Sequence, residues 1–502
     1  MNLSLSPAAL STRIGIVLLL TLAADFLLFR QPLGISLFIF ASLVGAALIA
    51  LHPRSPYPGS LLVKLAIAGA AVMPLAENVS PLSAAVSTIG LSVFALSISA
   101  RLRSGSTNVL RLVAGFLVTI PFSLLHDIPR LRKLTRTDKG VRFAGLAAWT
   151  LTVALGGVFI TLFGIANPVI GYWISLIDLR AILELLDIWR LAFWLIVIGL
   201  VWGFLRPRLP RWSRRYISST VGTATPDQDG RPATTLQQAM FGTAAILRAL
   251  VVFNLLFAVQ TVLDGAYLWG GVELPAGMTY ATYAHRGAYA LIVTALLAAV
   301  FVLAALRPGS PTSADRRVRT LVYLWSAQNV VLVISSILRL DLYVGIYSLT
   351  YWRVAAFIWM GLVAMGIVLI VARIMLDKSN EWLLGANMLT LSAVLYTCCF
   401  VNFAAIIAHY NVTHSREMSG GGSELDWSYL QSLGPAAIPA IDLAYKRSNS
   451  MGADMTASFW ARWREADRFR IDQQNWRAWS FRNHRLARHL GQPLLPTMNA
   501  PR

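Results

Sequence analysis

Apolar stretches as long as a bilayer is thick recur along this chain from near its start to residue 408, and basic turns separate them. Crossing about 30 Å of hydrocarbon at about 1.5 Å per residue takes about 20 residues. By that ruler about twelve stretches qualify: 14–29, 35–51, 61–75, 82–100, 110–125, 143–165, 188–205, 239–262, 288–306, 321–338, 354–375 and 383–408. Within lipid each backbone polar group must be paired inside its own segment, so the chain is expected to be all-α, a polytopic transmembrane helical bundle of about 12 spans. Composition agrees. Residues are 56% hydrophobic and 13% charged, against about 25% charged in soluble domains, which argues against a water-soluble enzyme. The net charge of +20 is spread between apolar blocks instead of forming one patch. Anionic lipid headgroups are therefore the expected partner, with a membrane-protein partner as the other expectation and no nucleic acid. The two cysteines, Cys398 and Cys399, are adjacent in an apolar run and supply neither a disulfide framework nor a zinc site.

Three regions follow from this pattern: residues 1–140 with about five spans, 141–408 with about seven, and a basic helical tail over 409–502. Residues 1–25 lack a convincing signal-peptide n-region and cleavage site, so they read as a retained first span. Asp178, Arg180 and Glu184 interrupt the apolar pattern of 171–186, which reads as an interfacial helix. Pro121 is expected to sit inside the fifth span, and the break at Asn167-Pro168 marks a second irregular point. Arginines and lysines collect in 126–142, 206–231 and 307–319, in alternating phase, which places those loops in the cytoplasm. The aromatic loops near 269–283 and 341–351 then face outward, although Arg101, Arg103 and Arg111 fall against this phase; the same count puts the tail outside, while its own twelve Lys or Arg against eight Asp or Glu argue the other way, so its side stays open. In the tail, Trp460 with Trp463 and Trp476 with Trp479 stand three apart among Arg462, Arg464, Arg468, Arg470 and Arg477. That suits a helix lying on headgroups, or equally an amphipathic hairpin packed on the bundle.

No phosphate-binding loop, metalloprotease helix, nucleophile elbow or Cys/His cluster occurs, and the seven histidines are scattered. No cofactor and no metal are expected. Ionisable groups inside a span are more informative, because lipid makes them face protein or water. Arg248, in the middle of the eighth span, reads as a buried charge, either functional or in a structural ion pair. Asp25, Lys64 and Asp264 lie closer to interfaces, while Gln328, Asn329, Asn387 and Asn402 read as interhelical hydrogen-bonding groups. Two outer clusters add tyrosine and arginine at a boundary: Tyr280 with Arg286, and Arg339, Asp341 and Tyr343 with Arg353. Taken singly each is an aromatic belt; on one side together they read as a polar site for a headgroup or glycan.

Several ordered blocks resemble one family. Residues 274–287 read LPAGMTYATYAHRG, 339–353 read RLDLYVGIYSLTYWR, 402–411 read NFAAIIAHYN and 475–485 read NWRAWSFRNHR. Together they are similar to the DUF4173 family of bacterial inner-membrane proteins, related to DUF4153, over roughly 140–490, with no match over the first 130 residues. Thr282 and Asn167 replace acidic residues of that family's pattern. The resemblance implies a multi-pass protein of the bacterial cytoplasmic membrane and supplies no reaction. Three readings compete beneath an unassigned activity: a transporter or lipid-linked-substrate translocase, a membrane-embedded enzyme acting on lipid or glycan at the outer face, and a signalling or scaffold protein. The enzyme reading is the less favoured, since only Asp341, His285 or a tyrosine would serve as acid or base.

Overall fold

A computed structural model of the chain describes residues 7–52, 60–99, 106–134, 187–207, 243–266, 315–447 and 453–491, with isolated helical positions between 152 and 162. No strand occurs among the described residues. The helices are α1 (Pro7–Leu28), α2 (Ile35–Leu51), α3 (Leu61–Glu77), α4 (Pro81–Ile98), α5 (Ser106–Thr119), α6 (Ser123–Leu134), α7 (Ile188–Leu205), α8 (Thr243–Asp264), α9 (Arg316–Tyr347), α10 (Tyr351–Met375), α11 (Asn380–Phe400) and α12 (Phe403–Thr413). Then come α13 (Trp427–Ser432), α14 (Ile438–Arg447), α15 (Ala453–Gln473) and α16 (Phe481–Leu490). Seven of the described helices are long and apolar enough to cross a membrane: most of α1, then α4, α7, α8, α9, α10 and α11. The expected spans at 143–165, but for those isolated positions, and at 288–306 lie outside the described residues, as does the interfacial helix at 171–186.

Two expected spans are broken where the backbone cannot continue. Pro121 does not sit within a helix. It lacks an N–H and disfavours helical geometry in the residue before it, so α5 ends at Thr119, Ile120–Phe122 turn, and α6 starts at Ser123. The Ser123 hydroxyl donates to the Ile120 carbonyl at 2.8 Å and closes the turn. Likewise 383–408 is not one span. Val401 is extended, and Asn402 caps α12 by accepting from the Ala405 amide at 3.3 Å. Asn402 is thus a helix cap and not an interhelical group.

The chain forms two compact units, one built from 1–73, 87–103 and 111–219, the other from 74–86, 104–110 and 220–502. In the first, α1 and α7 run antiparallel. Asp25 pairs with Arg190 and accepts from the Trp194 indole at 2.9 Å, and Arg30 reaches Asp187 at 3.3 Å. At the opposite end Asp127 is fully buried, pairs with Arg206 at 2.6 Å and accepts from the Trp202 indole at 3.2 Å. The points where two of the basic loops begin are therefore joined. Gly203 of α7 lies so close to the α5–α6 turn that a Cβ there would stand 2.6 Å from the Ile120 carbonyl oxygen and 2.9 Å from its Cα. Backbone cannot yield as a side chain does. Gly203→Ala should destabilise the unit by about 1–3 kcal/mol, read as a lower melting temperature of the detergent-solubilised chain; an unchanged melt would refute the close approach.

In the second unit α8 and α9 run parallel, with Asn254 near Leu321 and Asp264 near Ser335 and Arg339. Ile246, Leu250, Phe257, Val318, Val322, Trp325 and Leu332 form their apolar seam. Hydrogen bonds cross it: the Asn254 side chain donates to the Leu321 carbonyl at 3.1 Å and Gln328 donates to the Asn254 carbonyl at 3.2 Å. Asn329 and Asn387 instead bond to carbonyls one turn back on their own helices.

The tail shares a core with α12 and the end of α9. Ile407, Ala408, Val412, Leu430, Ile441 and Ala444 pack with Val344 and Leu349 at the α9–α10 turn. Asp426 caps α13, and the Tyr429 amide with the Ser428 hydroxyl holds its carboxyl below the ordinary range. A second small core joins Ile438, Ala466, Phe469 and Leu490, tying α14, α15 and α16 together.

Candidate functional site

The second outer cluster of the sequence sits where α9 turns into α10, and the turn is built around an unusual residue. Ser348 has φ 64 and ψ 172, a region essentially reserved for glycine that costs a side-chain-bearing residue about 1–3 kcal/mol. Three neighbours hold it there. Its hydroxyl lies 2.7 Å from that of Ser423, and its carbonyl accepts from Arg353. The next residue, Leu349, is clamped on both sides by buried Asn411, which accepts from the Leu349 amide at 2.7 Å and donates to its carbonyl at 2.9 Å. Arg353 also lies over the Tyr343 ring at 4.7 Å. Ser348→Gly should raise the melting temperature, because relief of backbone strain exceeds the roughly 1 kcal/mol of one part-buried hydroxyl bond. A lowered melt would show that Ser348 is not strained.

A groove of about 190 Å³ opens beside this turn, between Ser348, Tyr410, His414 and the loop Gly421–Ser423. The His414 ring stacks on Tyr410 with centroids 4.1 Å apart. Its Nδ1 lies 3.0 Å from the Tyr410 carbonyl, so in the neutral ring that nitrogen carries the proton and Nε2 is the acceptor. Hydroxyls and one imidazole acceptor suit a small neutral or weakly acidic group. Asp341, the acidic residue the sequence places here, is exposed.

The remaining predicted residues disperse. Arg339 does not face this groove: it is buried and pairs with Asp264 of α8, which also accepts from Ser335 at 3.0 Å and Gln260 at 2.8 Å. Arg248 is exposed on α8, so the expectation of a buried charge there is overturned. Its helix turns Leu247 and Leu250 to the seam and leaves Arg248 outside. Tyr280 and Arg286 lie outside the described residues. Among those described, no three His, Cys, Asp or Glu side chains are grouped to hold a metal ion.

Sequence reasoning missed two charge clusters in the tail. Arg462 does not meet solvent or phosphate: it is buried and bonded through two nitrogens to Asp442, at 2.8 and 2.9 Å, with His489 Nε2 2.9 Å from the same carboxylate. Nearby, burial pushes the Tyr445 hydroxyl pKa well up. The second cluster is Glu77, at the end of α3, which pairs with Arg485 and lies 3.6 Å from Arg482. Arg482 donates onward to the Val401 carbonyl at 3.1 Å, just past the end of α11. Partners 408 residues apart in sequence leave no local spacing signal. Close to this latch Trp476 and Phe481 are exposed, and Arg477 lies over the Trp476 ring at 5.0 Å.

Comparison with known proteins gives one family. The model described as "Domain of unknown function (DUF4153)" matches residues 15–444. It covers the first spans, which the sequence blocks left unmatched, and stops within α14. The match is to DUF4153 and not to the related DUF4173 that the blocks resemble. No curated protein and no solved structure matches.

Proposed function

Because the chain belongs to the DUF4153 family, whose description names no activity, we propose its function from its geometry: a multi-pass protein of the bacterial cytoplasmic membrane whose folded tail rests on the headgroup layer as a docking or signalling platform. One observation carries the reading. Arg482 fixes the tail to the end of a membrane-length helix, and beside it Trp476 and Phe481 are exposed among Arg477, Arg485 and Arg488. Aromatic rings next to guanidinium groups at that level suit the interface of an anionic bilayer. Between residues 462 and 488 eight arginines face three acidic residues, which favours phosphate-rich surfaces. The parallel run of α8 and α9 also supports the longer span count. If both cross, the chain between them crosses once more, and 288–306 is apolar enough to do so. The DUF4173-like blocks at 339–353 and 402–411 meet at the α9–α10 turn, in keeping with the narrower resemblance. The transporter and enzyme readings are the less favoured: Arg339 and Arg353 are engaged by separate partners and Arg248 is exposed.

Hydrogen exchange of the full chain in nanodiscs tests this. Protection of 476–490 should be greater with phosphatidylglycerol than with phosphatidylcholine alone and should fall as salt rises, since exposed charges are screened within about 10 Å at 0.1 M. Equal protection in both lipids at every salt concentration would defeat the proposal.

A further inference from the structure

Between α15 and the elbow that leads into α14 lies a cleft of about 200 Å³, with one wall from Arg464, Glu465 and Arg468 and the other from Gln431 and Gly434. Its chemistry is mixed in a particular way. Arg464 and Arg468 are one helical turn apart on the same face and exposed. Glu465 lies beside them, half-buried, and its carboxylate oxygen would be 4.0 Å from a Cβ at Gly434, which has none. Gly434 holds φ 70, a left-handed backbone that glycine adopts without cost, so the shape of this wall depends on the glycine. The cleft is also preorganised. Buried Arg462 is locked on Asp442 and fixes α15 against α14, so the walls do not depend on the ligand.

We propose that this cleft binds a phosphoethanolamine group, its phosphate on Arg464 and Arg468 and its ammonium on Glu465. Two guanidinium groups match phosphate oxygens through fork-shaped donors. A carboxylate beside them disfavours a plain anion and favours a ligand that carries a cation one short linker away from its phosphate. The volume sits below the roughly 300 Å³ of drug-sized pockets, which selects a small group. The same moiety exists as a soluble phosphomonoester and as the diester headgroup of a lipid. The proposal rests on the interfacial reading only in bringing the domain near such lipids.

Titration of the full chain in detergent with O-phosphoethanolamine, followed by calorimetry, tests it. Saturable binding is expected, stronger than for inorganic phosphate or phosphocholine. The double variant Arg464→Gln/Arg468→Gln should weaken it by about tenfold or more, and Glu465→Gln should erase the preference over inorganic phosphate. Each variant is compared for melting temperature, which exposed substitutions should leave within a few degrees. Nanodiscs containing phosphatidylethanolamine that displace the soluble probe would identify the lipid as the source; absence of displacement would identify the free ester, and both support the cleft. Absence of saturable binding, or binding that both variants leave intact, would overturn it. If that happened while protection of 476–490 by phosphatidylglycerol persisted, the cleft would fall and the interfacial reading would stand.

Discussion

Arg339→Ala should destabilise the solubilised protein by about 3–5 kcal/mol, the usual penalty for removing one partner of a buried ion pair. The guanidinium is 7% exposed and Asp264 5%, so water cannot replace the lost contact. The carboxylate left behind would then face neutral donors such as Ser335 and Gln260. Asp264→Ala removes the paired acceptor from the buried guanidinium and should be comparably damaging. Replacing both, as Arg339→Met with Asp264→Leu, should recover most of the loss, because an apolar pair of similar volume has no charge to desolvate. Arg248→Ala is the control: that side chain is exposed, and its removal should not lower stability. Melting followed by fluorescence-detected size exclusion reads all four. A single variant at Arg339 that melts with the wild type would refute the buried pair.

Asp442→Ala should open the tail without unfolding the spans. Asp442 is the acceptor for both Arg462 and His489, so its loss leaves a buried arginine unpaired, again about 3–5 kcal/mol. That exceeds what the small core of Ile438, Ala466, Phe469 and Leu490 can replace. Hydrogen exchange should show α15 and α16 losing protection while α9, α10 and α14, held in the larger core, keep theirs. Retained protection in α15 would show that the carboxylate does not hold the tail together. Arg462→Met, which removes the charge along with the bond, should be milder.

These two sites also mark where the sequence could be read and where it could not. Bilayer-length apolar runs were legible because lipid imposes a length and forbids exposed backbone, so α4, α7, α8 and α10 lie close to where hydropathy predicts them. Breaks were legible only as residue types. Pro121 announces itself, yet whether it kinks or ends a helix depends on neighbours; Asn402 looks the same whether it caps or crosses. Arg248 shows the deeper difficulty. Depth along a span follows from counting, but the direction a side chain points follows from which seam its helix buries, and Leu247 and Leu250 decide that. Asp264 with Arg339, Asp442 with Arg462 and Glu77 with Arg485 are separated by 75, 20 and 408 residues. Only the folded chain brings such charges together. Of the candidate site, Tyr343 and Arg353 do meet, because one turn separates them.

At 32 residues, α9 is about 48 Å long, well beyond the hydrocarbon it would cross. Its far end supplies Val344 to the core of the tail. One rod therefore has its shaft packed on α8 and its tip embedded in the core that follows α11. Were the shaft to cross a bilayer, any tilt imposed on it would be carried by a continuous helix to Val344 and the core packed on it.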